Sequence, residues 1–232
     1  MKFAAPYSCL LNSGIYTVPD ASYLSKVSTR RIRYWLKDSH SEDEKEQTSQ
    51  RLWKGQHTPI GDKLALGFND LQEIRFVDAF LKEGVSWPTL RRAHLRAKEV
   101  YKTEHPFCTR KFVTDGVNIF DSIRSESHGE YLTDVVRGQR VFPQIVSLFL
   151  KQLKFSKNQE LESWWPLGLN KRVVLDPTRQ FGQPIIAREG VSTEILYQAV
   201  QAGQTFEEVA EWYEIDVASI KDAVNFESSL RA

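Results

Sequence analysis

The sequence is poor in sulfur-containing residues and lacks long hydrophobic runs. It has two cysteines and one methionine in 232 residues, and Cys9 and Cys108 lie far apart. This spacing favours reduced thiols over a disulfide framework. No apolar run reaches the roughly 18 residues of a membrane-spanning helix, because Pro143 and Gln144 interrupt the best candidate, residues 141–150. The first residues also lack the apolar stretch of a secretory signal, so we expect a cytoplasmic protein without a membrane partner.

Signals for catalysis or for a metal site are also sparse. The sequence has no glycine-rich phosphate loop, nucleophile elbow or HExxH helix. His105 and Cys108 have the spacing of two metal ligands, but no second pair completes a four-ligand site. His57 and His94 stand alone in the sequence. We therefore expect no catalytic residues, no metal and no cofactor, and a nucleic-acid enzyme would require acidic side chains that converge on a metal.

Charge is distributed unevenly along the chain. Residues 1–157 carry 25 Lys and Arg against 18 Asp and Glu, whereas residues 158–232 carry 6 bases against 12 acids. Phosphate backbones attract bases and repel acids. The first part of the chain is therefore suited to nucleic acid, and the second part is suited to a different partner.

Residues 16–36 predict two short helices joined by a tight turn. Apolar side chains that include Ala21, Leu24, Val27 and Ile32 can form the inner face of the pair. The second helix, starting near Ser28, directs bases outward, which is the arrangement that places a recognition helix in the DNA major groove. The outward positions and their neighbours that we expect to contact DNA are Thr29, Arg30, Arg31, Arg33, Tyr34 and Lys37.

This stretch resembles the N-terminal motif of MerR-type winged helix-turn-helix regulators. The likeness continues at residues 71–77 and 81–86, which occupy the places of the third and fourth helices of that family. In the family, the residues that match Arg30, Arg33 and Tyr34 contact DNA backbone or groove. The resemblance therefore implies a DNA-binding domain.

Two features of the chain depart from the MerR pattern. Lys26 stands where the family usually has glycine, so we expect the left-handed turn either to carry a small strain or to have a slightly different shape. A polar segment, residues 38–50, takes the place of the wing and is followed by Arg51, which is a further candidate for DNA contact.

The end of the chain predicts two short strands followed by three helices. The strands fall near residues 172–175 and 184–187, and Thr205 with Glu208 forms a capping box for the middle helix. Together with residues 181–191, this segment resembles a trihelical domain that is widespread in bacterial antitoxins. Between these ends, residues 112–120 give a hairpin signal, and a helix is expected to start near Pro143.

The combination of the two ends resembles VapB-like antitoxins, whose partner is a PIN-like ribonuclease toxin. The resemblance implies that the chain holds the toxin inactive and binds the operator of its own operon. The last helices are expected to expose an acidic surface, which argues against DNA contact there and either docks a basic partner or is simply solvated. The acids expected on this surface are Glu207, Glu208, Glu211, Glu214, Asp216 and Asp222. The tryptophans of the connector either face a partner or pack internally. The candidate partner-binding residues are Trp164, Trp165, Arg188 and Trp212.

The sequence thus predicts an α+β, mainly helical protein in three parts. These are a MerR-like DNA-binding domain at 12–105, a mixed connector at 106–164 and a trihelical antitoxin-type domain with a short hairpin at 165–232. The expected partners are double-stranded operator DNA, the toxin and further copies of the chain, in a homodimer or a larger hetero-oligomer. The alternative is a stand-alone MerR-like regulator that responds to a small molecule, which an apolar pocket in the middle region would favour.

Overall fold

The computed structural model describes residues 12–36, 52–61, 63–124 and 130–232. The chain forms two compact units, of which the first is Tyr16–Leu148 and the second contains Phe149–Ala232 with the residues before Tyr16. The protein is mainly helical with small sheets, as expected for the α+β class. The division into three parts remains a prediction. Within the described ranges, no helix has the length and apolar character needed to cross a membrane.

The first unit is built from helices and one small antiparallel ladder. Strands β1 and β2 pair through Tyr16 with Leu66 and through Thr17 with Ala65. The last two residues of its final helix are counted with the second unit. The elements in chain order are β1 (Tyr16–Thr17), α1 (Val18–Ser25), α2 (Thr29–Leu36), β2 (Ala65–Leu66), α3 (Phe68–Lys82), α4 (Trp87–Tyr101), α5 (Arg110–Asp115), α6 (Val117–Arg124) and α7 (Glu130–Leu150).

Local hydrogen bonds define the α1–α2 pair. Thr17 caps α1 by accepting the Asp20 N–H at 3.2 Å, while the Asp20 carboxylate accepts the Thr17 N–H at 2.9 Å. Lys26 ends the helix in the left-handed region, with φ 58°, as the sequence predicts. Val27 then turns into the core, and Ser28 caps α2 by accepting the Arg31 N–H at 3.4 Å. The predicted inner face of the pair is buried throughout.

Aromatic rings form the centre of the first unit. The Phe80 ring lies 5.9 Å from that of Phe107, 5.6 Å from that of Phe120 and 6.2 Å from that of Phe142, measured between centroids. Rings at these separations attract one another through offset and edge contacts. The core therefore joins α3, α6, α7 and the loop before α5.

The hairpin expected at residues 112–120 is wrong, because this stretch forms α5 and α6. Gly116, which suggested a turn, adopts a right-handed helical conformation with φ −62°. A Cβ at this position would lie 2.5 Å from the Phe142 ring, so the glycine permits a close approach of α7. Phe112 and Phe120 are fully buried in the aromatic core, and this packing selects the helical spacing.

The helix start expected near Pro143 is also wrong. Helix α7 begins at Glu130 and contains Pro143 in its interior, although proline removes one backbone hydrogen bond there. The flanking residues Phe142, Ile145 and Val146 are buried on one face of the helix. Gly138 allows the Phe120 ring to approach, since a Cβ would lie 2.5 Å from it. Tertiary packing therefore stabilises a helix that local sequence disfavours.

Asp70 lies inside the first turn of α3, and Gly67 occupies the cap position before the helix. One oxygen of its buried carboxylate accepts the Trp53 indole N–H at 2.8 Å and lies 2.7 Å from His105 Nε2. The other accepts the backbone N–H groups of Gln56 at 3.0 Å and Gly67 at 2.8 Å. A single carboxylate thus ties three chain segments together.

A second buried acid, Glu73, lies one turn further along α3. Its Oε1 accepts the Phe107 N–H at 3.0 Å and faces His94 Nε2 at 3.5 Å. Burial raises the pKa of Glu73 to about 8 and lowers the pKa of His94 to about 3. A neutral carboxylic acid therefore meets a neutral imidazole at pH 7.

The second unit combines an antiparallel sheet with three packed helices. The sheet has the order β3-β4-β5-β6, with Val173 opposite Ile186 and Leu175 opposite Pro184. The predicted strands, the three helices and the Thr205–Glu208 capping box are confirmed. The elements are β3 (Leu153–Phe155), β4 (Leu161–Trp164), β5 (Val173–Leu175), β6 (Pro184–Ile186), α8 (Thr193–Gln201), α9 (Phe206–Tyr213) and α10 (Val217–Arg231).

Replacement of Glu73 by Gln is expected to flatten the pH dependence of stability. The folded-state pKa of Glu73 lies above its usual value of 4.5, at about 8. Between these values the folded state holds a proton that the unfolded chain has released, so the free energy of unfolding falls as pH rises, by about 1.4 kcal/mol per pH unit at most. Glutamine can still accept from Phe107 and has no such titration. Urea unfolding from pH 5 to pH 8 measures the slope.

The exposed Glu83 provides the control for this prediction. Glu83→Gln makes the same side-chain replacement at an exposed position at the end of the same helix and should leave the slope of the wild type unchanged. Parallel curves for Glu73→Gln and the wild type would contradict the assignment of a protonated buried acid.

Candidate functional site

The outward face of α2 is basic and exposed. Arg30 and Arg33 are exposed, Tyr34 retains 59% of its surface, and Thr29 is half-buried. On the opposite face, Ile32 and its buried neighbours hold the helix against the core. Neither Arg30 nor Arg33 forms an ion pair with any residue that the structure describes. Their charges are therefore available to an external anion.

Arg31 has different surroundings from these two arginines. Its guanidinium donates to Asp78 Oδ1 at 2.9 Å and lies 5.1 Å from the centre of the Trp35 ring. Lys82 binds the other oxygen of Asp78 at 2.8 Å. Because Asp78 lies on α3, Arg31 fastens α2 to the helix behind it and fixes the orientation of the exposed face.

A short turn lies beside α2. The backbones of Ile60 and Lys63 exchange hydrogen bonds of 3.0 and 3.2 Å, and Gly61 has φ +60°, which glycine adopts easily. A cavity of about 550 Å³ separates this turn from α2 and has mostly apolar walls. Its lining includes Val18, Pro19, Arg33, Pro59, Lys63 and Leu64.

Lys63 was not predicted as a site residue, yet it shares this cavity with Arg33. The Gly61-Asp62 pair between Ile60 and Lys63 is a turn signal in the sequence that could have located it. The predicted contacts Lys37 and Arg51, and the polar segment between them, lie outside the described residues.

In the second unit, two of the predicted partner-binding residues line one cavity. Trp165 and Arg188 border a space of about 400 Å³, although 23 positions separate them in the sequence. Trp164 does not line this cavity: it is 4% exposed and donates its indole N–H to Gln152 at 3.3 Å. Trp212 lies elsewhere, on α9, with 69% of its surface exposed.

The charges around this second cavity are largely paired. Arg172 lies 3.5 Å from Asp216 and 3.3 Å from Asp222, and Lys171 lies 3.5 Å from Asp222. Partial burial opposes ionisation of Asp216, but hydrogen bonds from Ser219 and the charge of Arg172 outweigh it and hold its pKa below the usual value. The Arg188 side chain is 92% exposed. Among the described carboxylates, only that of Glu189 lies near the Arg188 guanidinium, with 3.9 Å between Oε1 and Nε.

The acidic surface expected on the last helices is present, with one correction. Glu207, Glu208, Glu211 and Glu214 are exposed on and just after α9. Asp222 was expected on this surface but is buried, since Lys171 and Arg172 bind its carboxylate. The exposed acids would repel a phosphate backbone.

His105 and Cys108 are both engaged within the fold. Burial opposes protonation of His105, but the hydrogen bond to Asp70 and the charge of Asp70 outweigh it and raise the pKa of His105. The Cys108 thiol donates to the His105 carbonyl at 3.3 Å, and burial raises its pKa well above the usual value. Across the described ranges, no three His, Cys, Asp or Glu side chains are grouped so that they could hold a metal ion.

Comparison with known proteins places this chain among relatives. A family model described as "Protein of unknown function (DUF433)" matches residues 173–226, from β5 into α10. A protein of Mycobacterium tuberculosis (strain ATCC 25618 / H37Rv) named "Putative antitoxin VapB45" is 31% identical over 179 residues, which cover 72% of this chain and 73% of the relative.

The fold also has a counterpart among solved structures. The crystal structure of Rv2018 from Mycobacterium tuberculosis superposes with a TM-score of 0.72 at 24% identity, covering 97% of this chain and 100% of the other. This likeness shows the fold, and the identity to the VapB45 relative shows the kinship. The chain belongs to the family of antitoxins that this relative represents.

Proposed function

We propose that the chain is the antitoxin of a type II toxin–antitoxin pair, which silences a PIN-like ribonuclease by direct binding and represses its own operon at an operator. Membership of the antitoxin family supports the first role. The observation that carries the second role is the exposed α2 face, on which Arg30 and Arg33 have no ion-pair partner among the described residues. The chain then acts as a binding protein rather than as an enzyme.

DNA recognition is assigned to α1 and α2 acting as a helix-turn-helix. In this arrangement α2 enters the major groove, with Thr29, Arg30, Arg33 and Tyr34 toward bases or backbone. Arg31 contributes by holding α2 on α3 through Asp78. Lys63 and Arg33 border the same cavity, so both can contact phosphates of one DNA strand. Lys37 and Arg51 remain candidate contacts.

The operator complex is proposed to contain at least two copies of the chain. One small recognition helix reads few base pairs, whereas two-fold symmetric proteins read two half-sites and gain specificity. A homodimer, or a larger assembly that includes the toxin, meets this requirement.

Toxin binding is assigned to the second unit, whose acidic surface is unsuited to DNA. Trp165, Arg188 and Trp212 are the proposed contacts, and Trp164, which is 4% exposed, would have to become accessible to take part. Tryptophan and arginine contribute strongly to protein interfaces when they become buried there. Trp212 is 69% exposed and Arg188 has a side-chain exposure of 92%, so both can lose much surface on binding.

The second candidate function is a stand-alone regulator that responds to a small molecule. The apolar cavity of about 550 Å³ lies beside α2 and not in the middle region where a ligand pocket was expected, but it favours this function because a ligand there would compete with DNA for Arg33. A dependence on this ligand, without any toxin, would distinguish this function from the antitoxin role.

Replacement of Arg30 or Arg33 by Ala is expected to weaken operator binding. Each change removes about one phosphate contact, which should lower the slope of log affinity against log salt by about 0.9. Fluorescence anisotropy with labelled upstream DNA at several salt concentrations measures both quantities. Arg124→Ala removes an exposed base from α6 and is the matched control. Unchanged affinity in the Arg30→Ala, Arg33→Ala double variant would refute the recognition-helix assignment.

Arg31→Ala is expected to behave differently, because Arg31 binds Asp78 within the fold. The Arg31 side chain is 43% exposed, so loss of the pair should lower the free energy of unfolding by about 1 kcal/mol or less. Thermal unfolding should therefore shift for Arg31→Ala and remain at the wild-type midpoint for Arg30→Ala. Equal midpoints for the two variants would show that the pair does not stabilise α2.

Co-expression with the neighbouring small reading frame tests the antitoxin role. With a tag on one chain only, we expect a stable complex, and we expect growth arrest when the neighbour is expressed alone. A variant of the neighbour that lacks its acidic active-site residues should still bind but should not arrest growth. Absence of both a complex and toxicity would favour the stand-alone regulator.

A further inference from the structure

We propose that the cavity bordered by Trp165 and Arg188, here called the 165–188 pocket, receives a single carboxylate side chain of the protein partner. Arg188 binds the carboxylate, and Trp165 packs against its aliphatic stem. The proposal names the chemistry that the second unit recognises, and it rests on the proposed function for the existence of that partner.

The pocket is assembled from three segments of the second unit. The loop after β4 provides Trp165 and Lys171, the turn after β6 provides Arg188, and the start of α10 provides Asp216 and Ser219. Trp165 is fixed because its indole N–H donates to Ser163 Oγ at 3.0 Å. The part of the pocket that Trp165 forms is therefore already ordered without a partner.

The turn that carries Arg188 is held in place by its neighbours. The Gly190 N–H donates to the Ile186 carbonyl at 2.8 Å, and the Gln180 amide donates to the Gly190 carbonyl at 2.7 Å. The Arg179 guanidinium donates a hydrogen bond to the Ala187 carbonyl. Gly190 has φ +78°, a left-handed conformation that glycine adopts without strain. Because the backbone of the turn is already fixed, it loses little conformational entropy when Arg188 binds a partner.

The charges of the pocket leave one cation without a close partner. Lys171 and Arg172 are compensated by Asp216 and Asp222, as the ion pairs show. The Arg188 guanidinium has only Glu189 at 3.9 Å among the described carboxylates. Arginine binds carboxylates through paired N–H donors, and the exposed Arg188 guanidinium is accessible to such a group. The pocket thus complements one negative charge.

A nucleic acid is less suited than a single carboxylate to occupy the pocket. Residues 158–232 carry 12 acids against 6 bases, an excess of acids that extends beyond the pocket. A continuous phosphate chain would face these acids and the exposed glutamates of α9, whereas one carboxylate needs only Arg188. The occupant is therefore an acidic residue of a protein.

Arg188→Glu and Lys157→Glu provide a matched pair of variants. Both reverse the charge of an exposed base in the second unit, but Lys157 does not line the pocket. Titration calorimetry with the protein encoded by the neighbouring reading frame should give an affinity at least about tenfold lower for Arg188→Glu. Lys157→Glu should bind as the wild type does. A single Asp→Lys or Glu→Lys change in the partner should restore binding to Arg188→Glu.

Normal binding by Arg188→Glu would overturn the pocket while leaving the antitoxin role intact. Failure of the wild type to bind would instead count against the proposed function and, with it, a partner for the pocket. Equal loss in both variants would show general electrostatic attraction and would also overturn the pocket.

A small probe tests the pocket without the partner. N-acetylglutamate methylamide should shift the NMR signals of the Trp165 indole N–H and the Arg188 side chain, whereas N-acetylglutamine methylamide should not. The shifts should disappear in Arg188→Ala, and a short single-stranded DNA should not produce them. Equal shifts with the glutamine compound, or larger shifts with DNA, would contradict recognition of a carboxylate.

Discussion

The buried carboxylate of Asp70 is the interaction on which the first unit depends. It meets the Trp53 indole, the His105 ring and the backbone N–H groups of Gln56 and Gly67, all within 3.0 Å. An ionised group in an apolar interior is tolerated only when such partners surround it, and removal of one partner leaves an uncompensated charge. The segment before β2, the start of α3 and the loop before α5 are therefore fixed relative to one another.

Helix α3 carries this constraint toward the candidate DNA surface. Asp70 lies near its start and Asp78 two turns later, where Asp78 accepts Arg31 of α2. Glu73, between them, binds the Phe107 N–H and so helps position the aromatic core. The same helix thus stabilises the interior of the unit and fixes the angle at which Arg30 and Arg33 face solvent.

Local features of the fold could be predicted from the sequence, whereas long-range contacts could not. The inner face of α1–α2, the left-handed Lys26 and the Thr205 capping box follow from neighbours within a few positions. The helical state of residues 112–120 depends on Phe142, a ring more than 20 positions away that packs on Gly116. The sequence Asp115-Gly116 is therefore typical of a turn when it is considered alone, but the packing around it stabilises a helical conformation.

The candidate site shows the same division. The exposure of Arg30 and Arg33 follows from helical periodicity, since Ile32 and Leu36 must face inward. The pairing of Arg31 with Asp78 spans 47 positions, and no local pattern distinguishes Arg31 from its neighbours. Trp165 and Arg188 likewise line the same cavity only because the turn after β6 returns beside the loop that follows β4.

Each unit contains a turn of the same backbone geometry, and the two turns differ in the charge of the residues around them. Lys26 and Glu214 both end a helix in the left-handed region, with φ 58° and 54°. Each is followed by a buried aliphatic residue, Val27 or Ile215, and then by a capping residue and a second helix. Arginines surround the first turn and glutamates the second, so the same geometry is suited to opposite partners. Surface charge, rather than the turn itself, therefore determines which unit we assign to DNA and which to a protein.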